Sequence, residues 1–239
     1  MKLTTMKERL TGNAYPGRGI VIGKTADGKK AVFAYFIMGR SENSRNRVFK
    51  EYGDEVRTEP FDAAKVQDPS LIIYSPVKVV NGDVIVTNGD QTDTVEEALK
   101  AGKCFRHALK RRRFEPDAPN YTPRISGIIH LAGEYAYELS ILKCADGKGE
   151  KCNRYFFGYE PINGAGHFIH TYISDGDPLP SFEGEPEPVV IGNDLKAFAE
   201  EIWQSLNADN KISLYCRAYD LASGETESVL FNKNEQGAE

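Results

Sequence analysis

Ala31-Val32-Phe33-Ala34-Tyr35-Phe36-Ile37-Met38 passes directly into Gly39-Arg40-Ser41-Glu42-Asn43-Ser44-Arg45-Asn46-Arg47. The first half is rich enough in β-branched and aromatic residues to predict a strand. The second half sets Arg40, Arg45 and Arg47 among short polar side chains. Each guanidinium is a rigid fork of N–H donors that matches phosphate or carboxylate geometry, and Ser41, Asn43, Ser44 and Asn46 add short donors able to wrap the same anion. Two readings fit these residue types: an anion grip at a strand end, or a solvated turn between strands.

Outward from this stretch, the composition sets limits. A chain of 239 residues with 40% hydrophobic residues can bury a sizeable core. A net charge of -5 argues against a general nucleic-acid binder, whose phosphate-neutralising surface makes the domain basic. Met1 to Leu10 is mixed and charged, without the apolar core of a signal peptide, and no later run approaches the roughly 20 apolar residues that span a bilayer. The expectation is a cytoplasmic protein with neither membrane nor nucleic-acid partner. Cys104, Cys144, Cys152 and Cys216 contain no C-x-x-C, so they read as buried, reduced thiols.

Toward the start, Gly17 to Thr25 ends in Gly-Lys-Thr but lacks the P-loop spacing, because Arg18 stands where that motif needs glycine, and Asp27-Gly28 reads as a hairpin turn. The segment is therefore assigned to a strand; Arg18 just ahead of it either contributes to a site or, the commoner case for an Arg beside glycines, is simply exposed. Beyond the arginines come short extended pieces, Val48 to Tyr52 and Glu55 to Thr58, and a turn at Asp68-Pro69-Ser70. Leu71 to Val80 reads as a strand that is bent or at an edge at Pro76, and it carries Tyr74. Asn81-Gly82 then turns the chain into Asp83 to Thr87. The loop Thr87 to Asp93 carries Asn88 and Gln91, which suit either base-edge recognition or helix capping.

Thr94-Val95-Glu96-Glu97 has the form of a capping box and Gly102 that of a helix stop. Lys103 to Arg113 is expected to be helical, with Lys110 to Arg113 as its solvated end. Phe114 to Ile125, with three prolines, is a stiff loop presenting Glu115, Asp117, Asn120, Tyr121 and Arg124. Strands follow at Ser126 to Leu131, Tyr135 to Lys143, Arg154 to Tyr159 and Gly166 to Ile173. His167 and His170 fall on opposite faces of the last one, so no metal is expected there. An acidic, proline-rich connection, Ser174 to Pro188, leads to a helix capped by Asn193 or Asp194 with Leu195, Phe198, Ala199, Ile202 and Leu206 on one face. Lys211 to Tyr219 and Glu225 to Phe231 form a terminal hairpin, and residues 232–239 are polar enough to fray.

Roughly ten strands and two or three helices, arranged in runs, predict one α+β domain built as a layered sandwich. The physical reading ends at an anion-gripping, base-reading site made from strand ends and one rigid loop.

The segments Y-P-G-R-G-I-V-I-G-K, G-R-S-E-N-S-R-N-R, D-P-S-L-I-I-Y, T-N-G-D-Q-T-D-T and P-N-Y-T-P-R-I, in this order, resemble the archaeal-type IMP cyclohydrolase family. G-H-F-I-H-T-Y and P-L-P-S-F-E-G-E-P resemble its longer bacterial branch. The resemblance implies a four-layer α-β-β-α sandwich similar to N-terminal nucleophile hydrolases. It also implies closure of 5-formamidoimidazole-4-carboxamide ribotide to IMP with loss of water, in purine biosynthesis. No Cys, Ser or Thr stands at or next to the start, so autoprocessing and amide hydrolysis are not expected.

On that hypothesis the carboxamide nitrogen attacks the formyl carbon, and the site must position the substrate, stabilise an oxyanion and relay protons. Arg45 and Arg47, with Ser41 and Asn46, would grip the ribotide phosphate, and Arg40 or Arg124 would face the reacting oxygen. Asn88, Gln91 and Tyr121 would orient ribose and carboxamide, and Tyr74 and Glu115 would relay protons. No metal or redox cofactor is required, and a homo-oligomer stays open. The alternatives are another enzyme acting on a purine or aminoimidazole ribotide, and a nucleotide-binding protein without catalysis.

Overall fold

The structure, a computed structural model, describes residues 1–66 and 72–235. It begins with α1 (Met6–Leu10), β1 (Arg18–Lys24) and β2 (Lys30–Met38), then a single helical turn, α2 (Glu42–Arg45), β3 (Arg47–Tyr52) and β4 (Glu55–Pro60). Next come β5 (Val77–Val80), β6 (Asp83–Thr87), α3 (Gln91–Lys100), α4 (Phe105–Leu109), β7 (Arg124–His130), β8 (Ala136–Cys144) and β9 (Cys152–Tyr159). After these lie β10 (Ala165–His170), β11 (Glu187–Val190), α5 (Leu195–Ser205), β12 (Lys211–Asp220) and β13 (Thr226–Asn232).

These strands make two antiparallel sheets. One has six strands in the order β11-β10-β1-β2-β12-β13, and the other has seven in sequence order, β3 to β9. The fold is thus α+β. The apolar run that opens β2 explains the layering, because β2 is buried on both faces. Val32, Ala34, Phe36 and Met38 pack toward α1 and α5 with Phe198, Ala199 and Ile202, whereas Phe33, Tyr35 and Ile37 join Phe49, Val84, Val86 and Leu139 between the sheets. A third cluster, with Val95, Phe105 and Leu109, packs α3 and α4 on Ile85, Ile128 and Leu142 of the seven-stranded sheet. Alternation along β7 and β8 sends one set of side chains to each cluster.

Asn232, expected to fray with the tail, instead ends β13 buried and joins the sheets at one edge. Its amide accepts from Phe49 N–H at 2.8 Å and from the Ser213 hydroxyl at 2.6 Å, and donates to Phe49 C=O at 2.9 Å. Asn232→Ala strips these buried groups of their partner and is expected to cost about 1–3 kcal/mol. The check is the urea unfolding midpoint; an unchanged midpoint would show that this amide does not hold the sheets together.

Local sequence signals account for most of the elements. Asp194 caps α5 by accepting Ala197 N–H at 3.0 Å. The Asn81-Gly82 turn has φ of 54° and 86°, as a two-residue hairpin requires. Several expectations need correction. The Thr94 capping box does not start α3, which begins at Gln91 because Thr92 bonds back to Thr87 at 2.6 Å and Gln91 to Asn88 at 2.9 Å. Helix α4 stops at Leu109, well short of Arg113, as tertiary bonds take over the basic run: Arg112 reaches Asp90, Arg113 reaches Gly149 C=O, and Arg154 donates to Arg112 C=O.

Among the described residues of the expected strand Leu71 to Val80, only Val77–Val80 is regular; the Tyr74 carbonyl accepts from both N–H and hydroxyl of Thr58, while Pro76 cannot donate. Leu71 and the turn at Asp68-Pro69-Ser70 lie outside the described residues. The short helices α1 and α2 and the strand β11 carry too few periodic residues to be read in advance, so the described residues hold thirteen strands and five α-helices rather than about ten and two or three. Of the thiols, only Cys216 is buried; Cys104 is exposed, and Cys144 and Cys152 are half-buried.

Candidate functional site

At one end of the space between the sheets, polar side chains replace apolar ones. Arg18 at the start of β1 is buried, not exposed, because the chain around it is closely packed. Gly17 has φ +81°, and a Cβ there would lie 2.1 Å from Thr171 Oγ1, so only glycine lets this turn seat Arg18. Arg18 N–H donates to the Thr171 hydroxyl at 3.1 Å. Its Nη2 lies 3.8 Å from Glu115 Oε2, and its Nε has no partner. Arg47, at the start of β3, is wholly buried; Nε donates to Ser44 C=O at 2.6 Å, Nη2 to Met38 C=O at 3.3 Å, and Nη1 has no partner.

Phenols surround these cations. Tyr35 and Tyr74 share a hydrogen bond at 2.7 Å, and Tyr15 stacks on Tyr172 at 5.9 Å between centroids. Burial opposes the Arg18 charge, but Glu115 and the phenols of Tyr172, Tyr74 and Tyr15 outweigh it and push its pKa well above the ordinary value. Burial lowers Arg47, with Arg18 adding repulsion. Burial raises the Glu115 carboxyl above the ordinary range, against the pull of Arg18, Arg124 and Arg47. Both pKa values therefore rise: Arg18 is held charged, while burial favours the protonated Glu115. The Glu115 direction follows from geometry, since 3.8 Å is too long for a hydrogen bond to offset desolvation.

One hydroxyl in this cluster has a fixed orientation. Asp117 accepts from the Thr122 hydroxyl and from Thr122 N–H, and that hydroxyl also meets Tyr172 Oη. A carboxylate only accepts, so Thr122 donates to Asp117 and must accept from Tyr172. Tyr172 Oη therefore keeps only lone pairs for its other neighbours, among which Arg18 is the nearby cation.

The structure brings together Arg47, Tyr74 and Glu115 from the expected set, and adds Arg18, Tyr15, Tyr35 and Tyr172. Arg124 borders this group: its charge acts on Glu115, and its Nη1 meets Gln91 at 2.6 Å and Asp90 at 2.7 Å. Asn88 and Gln91 are fully buried and brace the start of β7, Asn88 through Pro123 C=O and Ile125 N–H, both at 2.9 Å. Arg40 lies at the rim, 5.1 Å over the Tyr15 ring, and pairs with Asp175 at 2.7 Å.

The other expected residues sit apart from the cluster. Arg45 is exposed and bonds Gly39 C=O and Asn210. Ser41 caps α2, Asn46 clamps Asp62 through both N–H and C=O, and Tyr121 turns to Lys148 C=O at 3.1 Å. His167 meets Tyr137 at 2.7 Å while His170 meets Tyr172 C=O at 2.7 Å, so the two histidines serve different neighbours. A surface hollow of about 490 Å³ between α1 and α5, lined by Lys7, Thr11, Glu200 and Glu201, is remote from this chemistry.

Two antiparallel sheets closing on buried arginines, phenols and a carboxyl of raised pKa define an α+β protein with a cationic interior site. Comparison with known proteins places it further. A family described as IMP cyclohydrolase-like protein matches residues 15–224, and the chain belongs to that family. A Methanococcus aeolicus protein named IMP cyclohydrolase is 34% identical over 120 residues, 48% of this chain and 58% of that one. One of the same name from Methanocaldococcus jannaschii is 35% identical over 118 residues, 48% and 56% of the two chains. The match thus spans little more than half the length of these relatives. A third, from Methanopyrus kandleri, is 28% identical over 192 residues, 75% of this chain and 95% of that one.

Proposed function

We propose that this protein is an IMP cyclohydrolase, closing 5-formamidoimidazole-4-carboxamide ribotide to IMP with loss of water in cytoplasmic purine biosynthesis. The observation that supports this most is the pair of buried guanidiniums, Arg18 and Arg47, each with an N–H lacking a partner, beside Glu115. Two buried cations against one carboxyl form an anion site, and unpaired buried donors are costly unless a ligand takes them. In this reading Arg47 and Arg18 hold anionic oxygens of the ribotide, Arg45 stands at the rim, and Ser41 and Asn46 shape the turn that seats Arg47. Arg124 or Arg40 steadies the oxyanion, Asn88 and Gln91 hold Arg124 and the start of β7 in place with Tyr121 at the margin, and Tyr74 and Glu115 move protons between nitrogen and leaving oxygen. The sandwich would act as one domain of the four-layer type found in N-terminal nucleophile hydrolases.

The test is incubation of purified protein with the formamido ribotide while following purine absorbance. Sustained, enzyme-dependent formation of IMP is expected. Tight ribotide binding without turnover would instead make the protein a nucleotide binder, and turnover of a different ribotide alone would replace the substrate.

A further inference from the structure

We propose that Cys144 and Cys152 are a disulfide-forming pair, oxidised by small-molecule disulfides of the glutathione type. The two residues are direct partners across the β8–β9 hairpin, at the end of the two strands near its loop. The neighbouring rung is hydrogen-bonded, with Ala145 N–H donating to Lys151 C=O at 3.0 Å. Rungs alternate in an antiparallel ladder, so the cysteine pair occupies a non-hydrogen-bonded rung, where facing Cα atoms are about 4.5 Å apart. That spacing lies within the range a disulfide spans, and directly opposite side chains share one face. Both thiols are half-buried, and in the reduced state each has a weak acceptor, Asp146 for Cys144 at 3.2 Å and Asn153 C=O for Cys152 at 3.5 Å.

The chemistry balances by thiol–disulfide exchange. One cysteine thiolate attacks a sulfur of the oxidant, and a small thiolate leaves; the second cysteine thiolate then attacks the mixed disulfide and releases the other small thiol. Two electrons pass to the oxidant, and the two cysteine protons end on the released thiols. The position of the pair gives the bond a structural reach. The hairpin tip beyond it accepts Tyr121 Oη–H at Lys148 C=O and Arg113 Nη2–H at Gly149 C=O; Tyr121 lies in the loop that carries Glu115, and Arg113 directly precedes it. Oxidation would fix the base of the hairpin that braces this segment.

The experiment uses the full chain equilibrated with glutathione disulfide, then alkylated and weighed intact before and after dithiothreitol. The expected result is Cys144 and Cys152 protected from alkylation and linked to each other with loss of two hydrogens, apart from glutathione carried by the exposed Cys104, all reversed by reduction. Cys144→Ser should abolish the link and leave Cys152 as a glutathione mixed disulfide. Full alkylation of both residues after equilibration would overturn the proposal. So would an intramolecular link that persists in Cys144→Ser.

Discussion

Glu115→Gln is expected to lower turnover of the formamido ribotide by about 10²–10⁴-fold while leaving ribotide affinity near that of wild type, the usual contribution of a positioned acid–base group. The substitution keeps the shape and removes only the ionisable proton. Burial raises the carboxyl above the ordinary range, and Arg18, Arg124 and Arg47 moderate this while Asp117 adds to it. Such a group retains a proton at a pH where ordinary carboxylates are ionised, as a general acid requires. The wild-type rate should therefore show a limb above the usual carboxylate range that the variant lacks.

The same shift has a stability consequence with a definite sign. Between the unfolded and the raised folded pKa, the folded state binds more protons than the unfolded chain, so stability falls as pH rises through that window. Glu115→Gln should flatten this slope in urea unfolding measured at successive pH values. Full turnover in the variant would place the proton relay elsewhere. Affinity lost in step with rate would make Glu115 a binding residue.

Arg47→Lys is the second large effect. The guanidinium is wholly buried, with two donors committed to Ser44 and Met38 carbonyls and Nη1 without a partner. Lysine keeps a charge but loses the fork, so ribotide affinity is expected to fall by about 1.5–3 kcal/mol, the range for a hydrogen bond to a charged group. Calorimetry with ribotide and with the dephosphorylated riboside separates the causes. A phosphate contact predicts that the variant narrows the difference between the two ligands, whereas equal losses for both would reject it. Arg45→Ala is the comparator, and a larger loss there would move the phosphate to the rim.

Much of the scaffold is legible in the chain because its signals are local. The apolar run of β2, the Asn81-Gly82 turn and the amphipathic face of α5 each lie within one element. The site is legible only in part. Tyr74, Glu115 and Arg47 carry their chemistry in their residue types, but Arg18 between Gly17 and Gly19 reads as exposed, and only the distant Thr171 and Glu115 bury and pair it. Donors such as Asn88 and Asn46 show the converse. Their amides suit a ligand equally well, yet backbone groups far along the chain take them. The basic run Lys110 to Arg113 suggests helix, but Asp90, Gly149 and Arg154 compete for it with more favourable contacts.

The two sheets differ in the order in which their strands become available. In the seven-stranded sheet every neighbour is the preceding strand, so it can grow hairpin by hairpin during synthesis. The β1–β2 hairpin, in contrast, has open edges until β10 and β12 arrive from more than a hundred residues downstream. Open edges invite pairing with other chains, so a nascent chain stalled between β9 and β12 is the species most prone to aggregation. Arg18 and Tyr35 sit on that waiting hairpin, opposite Arg47, Tyr74 and Glu115. The cluster therefore closes late, and ligand-binding competence should appear during synthesis only once β10 has seated beside β1 and brought Thr171 and Tyr172 to Arg18.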